Sequence, residues 1–267
     1  MAPPLSNTVA MRLLAFDTST DTMSIAVGCT VDGVPRSWQH TGAGGAQASS
    51  SLIPAIMDLM AQAGLGFADL DAIAFGRGPG AFTGLRTACS VAQGLGFGAH
   101  GRTGGKALPL LPIDTLLALA EEARHQHAPG HTPLRVVAML DARMDQIYAA
   151  AYAFDGSRWT QHRDPYLDRP EDLALDAAWL APGGILAGNV FAAYGERLPS
   201  GPGVARIDAL PTAGAMLRLA PALWAAGHAV SPELALPLYI RDKVAQTSSE
   251  RSAAKAALSG VTSPSPP

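Results

Sequence analysis

A chain of 267 residues that is 48% hydrophobic and only 15% charged has enough apolar material for one large core or two smaller ones. Its formal net charge of −3 and isoelectric point near 6.1 exclude a general field toward nucleic acid or anionic membrane, so any RNA contact is local or made through a partner. Cys29 and Cys89 lie in separate apolar segments, form no C-x-x-C pair, and read as buried thiols of a reducing compartment.

No apolar run reaches about 18 residues, and the N-terminus lacks the charged-then-apolar pattern of a secretory leader, which predicts a soluble cytoplasmic protein. Residues 1–10 (Pro, Ser and Asn-rich) and 246–267 (Ser, Ala and Pro-rich) read as disordered tails. After the first tail come three strands in succession, "MRLLAFDTST", "TMSIAVGCTV" and "VPRSWQH", with Asp32-Gly33 as a hairpin turn between the second and third. The Gly-rich "TGAGGAQ" reads as a link to a helix, "SSSLIPAIMDLMAQAGL", with Ser at its start, Pro54 in its first turn and Gly64 as its stop. "LDAIAFG" reads as a short strand leading into "FGRGPGAFTGLRTACSVAQGLGFGA".

A second strand-turn-strand pattern follows the polar insertion "RHQHAPGHTP". "LRVVAML" ends at Asp141, "ARMDQ" turns, and "IYAAAYAFDG" runs to Asp155-Gly156, matching the earlier run from Asp17 to Asp32-Gly33 with spacings of 14 and 15 residues. This weak internal repeat points to two α/β domains of related β-β-β-α-β-α construction. The boundaries read as lobe I over 11–108 and lobe II over 109–245, with a helix at about 112–125 that bridges or returns to lobe I.

Asp17, Thr18, Ser19 and Thr20 stand at a strand end. Hydroxyls and N–H groups there suit a phosphate, and the same residues are ordinary turn formers. The glycine-dense stretch fails both familiar phosphate templates. Gly84 is followed by Leu85 and Arg86 rather than Lys and Ser/Thr, and G-x-G-x-x-G needs glycine at Ala81 or Thr83. What remains is a strand-loop-helix junction in which Gly76, Gly78 and Gly80 permit positive φ and Thr83 caps the helix. An arginine in a first helical turn asks for a negative neighbour, so Arg77 and Arg86 imply either an anionic ligand or an internal pair with an Asp. The candidate anion-binding set is therefore Asp17, Thr18, Ser19, Arg77, Gly78, Gly80, Thr83 and Arg86.

Two helices carry surplus apolar or small residues. In the first, Leu52, Ile56, Leu59 and Ala63 form one face, and Ile53, Met57 and Met60 widen it until only Ser51, Asp58 and Gln62 stay polar. In the second, Gly94, Gly96 and Gly98 imply close approach by another element, since each costs about 1 kcal/mol against Ala. A partner surface and deep burial within the chain both fit. His125, His127 and His131 lie in a Pro/Gly loop without a fixed helical face and read as solvated rather than metal-binding. There is no G-x-S-x-G, and no catalytic set stands out.

"LAFDTSTDTMSIAV", "FGRGPGAFTGLRTACSVAQGLGFGA", "LDARMDQIYAAAY" and "LPLYIRDKVA", in that order, resemble the TsaB (YeaZ) family of the actin-like superfamily over about residues 12–245. The most specific motif is G-R-G-P-G-[SA]-F-T-G-[LV]-R, here Gly76 to Arg86. The resemblance implies two actin-like lobes with mixed sheets flanked by helices. It also implies a non-catalytic partner of TsaD in forming N6-threonylcarbamoyladenosine beside the anticodon of tRNA, with TsaE assisting and tRNA reached through the complex. No cofactor is implied on the lone chain, ATP or ADP is expected at the partner complex, and a homodimer forms when the partner is absent. The alternative is an actin-like ATPase or a glycoprotease-like hydrolase acting alone.

In the paralogue TsaD an H-x-x-x-H pair holds a metal. Asp114 and Ala118 stand at the comparable place, and a carboxylate with a methyl group cannot reproduce two imidazoles, so no metal is expected. The family's dimer contact implies an interface on the two lobe I helices, with Leu52, Ile53, Ile56, Met57, Met60, Val91 and Leu95 as the contact residues. Where many members open the first long helix with His followed by Thr or Ser, this chain reads "AQASSSLIP". Gly188 and Asn189 stand where superfamily members touch nucleotide, and a simple turn fits equally.

Overall fold

The structure, a computed structural model, describes residues 11–99, 107–128, 130–173 and 175–241; the expected tails lie outside them. The described residues form strands β1 (Leu13–Asp17), β2 (Thr22–Val31) and β3 (Val34–Ala43), then helix α1 (Ala48–Ala63), β4 (Ala72–Gly78), α2 (Phe82–Gly98), β5 (Leu110–Asp114) and α3 (Thr115–His127). They continue through β6 (Leu134–Arg143), β7 (Gln146–Phe154), β8 (Trp159–Asp168), β9 (Gly184–Gly188), the four-residue α4 (Phe191–Tyr194), β10 (Ala205–Asp208) and α5 (Ala213–Ala225).

The first sheet has the order β3-β2-β1-β4-β5 and the second β8-β7-β6-β9-β10. Each is the same construction, two antiparallel hairpin pairings followed by two parallel ones. The internal repeat seen in the spacing of aspartates is thus a repeat of topology. Asp32 and Gly33, both at positive φ, make the first hairpin turn as expected. In the second unit the turn after β7 is held by Asp155, whose Oδ1 accepts from the backbone N–H groups of Ser157 and Arg158. This is the two-lobed, actin-like arrangement.

Four apolar layers fill it. α1 and α2 cover one face of the first sheet through Leu52, Ile56, Leu59, Met60, Ala88 and Ala92. The other face is covered by α5, through Ala213, Ala215, Met216, Leu219 and Ala220 against Leu13, Ala15 and Ala74. α3, although it follows the last strand of the first sheet, packs Leu116, Leu119, Ala120 and Ala123 on Val136, Ala138 and Tyr152 of the second. The remaining face of the second sheet is closed by Leu173, Val190 and Leu198. The lobes therefore exchange helices, and α3 and α5 lie against each other between them.

Several local expectations are corrected. β5 belongs to the first sheet, so that sheet runs past residue 108 to Asp114. The Gly-rich link is strand as far as Ala43. α1 begins at Ala48 after Gln47, without a side-chain cap; Ser49, Ser50 and Ser51 instead donate back to the carbonyls of Ala46 and Gln47. Pro54 consequently falls in the second turn. It is tolerated because it lies on the exposed side, where the carbonyl left without its N–H partner can meet water. Gly64 ends the helix at φ 66°, as expected. Thr83 does not cap α2; Ala81 holds that position.

Candidate functional site

β1 delivers Asp17 to the place where the chain turns beneath α2. Its Oδ1 accepts from both the N–H and the Oγ–H of Ser19, at 2.8 and 2.6 Å, and Thr115 Oγ1 lies 3.5 Å from Oδ2. The carboxyl is fully buried, and that desolvation outweighs the hydrogen bonds and pushes its pKa up to about 6. A carboxyl whose folded pKa lies above its unfolded value binds more protons in the native state, so its contribution to stability is present below about pH 4 and is lost as pH rises to about 6. The full loss is on the order of 3 kcal/mol. Asp17→Asn, which keeps the acceptor oxygen for Ser19, is expected to remove this component from urea midpoints measured between pH 4 and 7; an unchanged pH profile contradicts it.

The glycine-dense loop is packed onto the same turn. Thr18 Oγ1 donates to the Gly84 carbonyl at 2.7 Å, and Ala81 N–H donates to the Ser19 carbonyl at 2.7 Å. A Cβ on Gly84 would stand 1.8 Å from the Thr18 carbonyl oxygen, and one on Gly80 would stand 2.5 Å from that of Ser19. Of Gly76, Gly78 and Gly80 only Gly78 has positive φ; the other two serve close approach rather than backbone conformation.

Of the eight residues of the expected anion set, Asp17, Thr18, Ser19 and Gly80 come together in this turn, whereas the Arg77 and Arg86 guanidinium groups are engaged elsewhere. Asp17 and Thr18 are buried; Arg77 pairs with Asp114, and Gly78 N–H donates to Thr115 Oγ1. Arg86 donates from Nε to the Tyr239 hydroxyl at 3.2 Å and lies over the Phe82 ring, and Thr83 is exposed. Arg77 thus takes the internal pair with an Asp. Only Ser19 and Gly80 line the cleft between the lobes, a space of about 470 Å³ that also receives Asp21, Asp141, Arg143 and Asn189.

β6 continues through Asp141 to Arg143 instead of ending at the aspartate. Asp141 is already engaged by the backbone N–H and Nη1 of Arg143 and by the Tyr194 hydroxyl, and its own N–H donates to Asn189 Oδ1. Arg143 reaches across the cleft to Asp21, closing one lobe on the other through an exposed pair of small energetic weight. Arg143, Met144 and Asp145 all have positive φ, near 60°, which non-glycine residues adopt at a cost. Arg241 and Arg197 hold this turn: Arg241 Nη2 donates to the Ala142 carbonyl and Gln146 Oε1, and Arg197 binds Asp145 through both Nη atoms. The motif Asp-Ala-Arg-Met marked this turn without disclosing its handedness.

The expected interface set divides by burial. Leu52, Ile56 and Met60 belong to the core, Val91 and Leu95 are half-buried against it, and only Ile53 and Met57 project to solvent, at 49% and 52% exposure. Phe97, absent from the expected set, is 56% exposed at the end of α2. Gly96 is packed inside the chain, where a Cβ would meet Pro232 and Leu110, whereas Gly94 and Gly98 face open space among the described residues. Cys29 and Cys89 are buried free thiols, as read from the sequence. His125 and His127 lie in the last turn of α3, and His131 contacts the Gly156 carbonyl through Nδ1.

A family model described as TsaD, tRNA N6-adenosine threonylcarbamoyltransferase, matches residues 43–202. The tRNA threonylcarbamoyladenosine biosynthesis protein TsaB of Escherichia coli is 32% identical over 88% of this chain and 96% of its own length. The chain belongs to the TsaB family. The TsaB protein of Haemophilus influenzae agrees at 32% identity over 88% of this chain and 95% of its own. A crystal structure of a Pseudomonas aeruginosa protein described as similar to peptidase YeaZ superposes with a TM-score of 0.73 at 36% identity, covering 86% of this chain and all of that one. In this TsaB-family chain Asp114 is the partner of Arg77 and Ala118 is a buried methyl in the α3 core, so that pair of positions supplies one oxygen-bearing side chain already engaged by a guanidinium. Among the described residues no helix is long and apolar enough to cross a membrane.

Proposed function

We propose that the chain is a non-catalytic partner subunit in tRNA threonylcarbamoyladenosine formation, offering the solvent side of α1 and α2 to TsaD. The observation that carries this is the exposure of Ile53, Met57 and Phe97 on two adjacent helices whose Gly94 and Gly98 leave the surface open. Three large apolar side chains half in water gain most from being covered. Family membership supports the pathway, since the relatives are named for it. A lone ATPase is disfavoured by the burial of Asp17 away from the cleft and by the engagement of Asp141 with its own neighbours.

On this reading the chain works in the cytoplasm and forms a homodimer through the same face when alone. TsaE joins the assembly, tRNA is reached through it, and ATP or ADP belongs to the complex rather than to this chain. Mixed with TsaD, TsaE, tRNA, ATP and threonylcarbamoyl-adenylate, the protein is expected to restore the modified nucleoside, quantified by mass spectrometry of digested tRNA. The protein without TsaD is expected to yield none. Full modification in its absence defeats the proposal.

A further inference from the structure

A groove of about 1120 Å³, sharing no lining residue with the cleft described above, runs between β5, α3, α5 and the β7–β8 hairpin. Its walls are apolar: Leu117 from α3, Leu219 and Leu223 from α5, and Phe154 and Trp159 from the hairpin. Trp159 is fixed there by its indole N–H, which donates to Glu121 Oε2 at 3.0 Å. Its charged lining comprises Arg77, Arg124, Arg158 and Arg218 against Asp114 and Glu121, an excess of cations in a chain whose net charge is negative.

Glu121 is consumed by Arg124 and Arg218, Arg218 also binds Glu122 outside the groove lining, and Arg124 also donates to the Gly130 carbonyl. Arg77 meets Asp114 through Nε, and Arg158 adds an exposed guanidinium at the rim. Beside the Arg77–Asp114 pair stands Tyr152, which is 1% exposed and whose hydroxyl has no hydrogen-bond partner among the described residues. Burial holds this phenol well above the ordinary tyrosine range, so it remains a donor at every physiological pH. An unpaired buried hydroxyl lowers stability, and phenylalanine would fill the same space without that loss. The hydroxyl is therefore better explained by something it meets in the groove than by the fold.

We propose that this groove binds an organic carboxylate, its acid group taken by Arg77, Arg158 and the Tyr152 hydroxyl and its apolar body laid between α3, α5 and Trp159. A carboxylate only accepts, and its two oxygens can take a guanidinium N–H and the phenol proton together, which a donor ligand cannot do. A neutral alcohol of the same length loses the charge-assisted bonds. The space is at the upper end of small-molecule sites, which suits a chain of many carbons better than a single small metabolite.

Titration of the intact protein with decanoate, followed by tryptophan emission, tests this. Expected are a saturable change that disappears in Trp159→Phe, and 1-decanol binding about tenfold or more weaker than decanoate. Tyr152→Phe is expected to weaken decanoate about fivefold or more while melting no lower than the parent. Arg77→Gln should act in the same direction, but it also leaves Asp114 unpaired, so Tyr152→Phe carries the decision. Equal binding of decanol and decanoate, decanoate binding unchanged in Tyr152→Phe, or no saturable change in the millimolar range overturns the proposal.

Discussion

Replacing Ile53 and Met57 together by aspartate is expected to abolish support of tRNA modification while leaving the protein folded. Both side chains stand on the solvent side of α1 at about half exposure, so the free protein loses little beyond helix propensity, a few tenths of a kcal/mol per residue. In a complex that covers their exposed halves, each lost apolar side chain removes roughly 1 kcal/mol, and each new carboxylate must also be desolvated. Together these raise the dissociation constant about a hundredfold or more. Calorimetric titration with TsaD and nucleoside analysis read this directly, with the melting temperature as control. A double variant that binds and supports modification normally removes α1 from the interface.

Ile56→Asp looks similar in sequence and is a different experiment. Ile56 is fully buried in the core beneath the first sheet, so its aspartate is an unpaired buried charge whose cost, about 4 kcal/mol or more, unfolds a marginal protein. Loss of partner binding in that variant reports the core rather than the contact.

Gly84→Ala is expected to be strongly destabilising. The added methyl would lie 1.8 Å from the Thr18 carbonyl oxygen and 2.8 Å from its carbon, backbone atoms of a buried turn with no rotamer to offer. α2 must retreat, and the Thr18–Gly84 and Ala81–Ser19 hydrogen bonds go with it. Overpacking and two lost bonds, partly offset by the better helix propensity of Ala, leave a net destabilisation of about 3 kcal/mol. Gly94→Ala, facing open space on the same helix, is the counterpart and should gain about 1 kcal/mol. Urea denaturation of the pair separates close approach from propensity; equal midpoints contradict the packing account.

The hairpins were legible because Asp-Gly turns and alternating apolar runs are local signals, and the topology repeated what the spacing of aspartates implied. Which face of α1 is outward was not legible. Leu52, Ile56 and Met60 interleave with Ile53 and Met57 on a helix apolar over most of its circumference, and only the position of the first sheet separates them. The destination of α5 was hidden for a similar reason, since small apolar residues announce burial without naming the sheet. Arg77 needed a negative neighbour, which was readable, whereas Asp114 as that neighbour depends on β4 and β5 lying in parallel register. Tyr152 gave no signal at all, because an unpaired hydroxyl exists only once its surroundings do.

The exchange of α3 and α5 decides what either half can do without the other. Each half supplies the roof of the other, so a chain cut after β5 would bare the face of Leu13, Ala15 and Ala74 that α5 covers, and the remainder would lack α1, α2 and the sheet they rest on. The two halves of repeated topology are thus one interdependent unit, in which neither keeps its cover without the other.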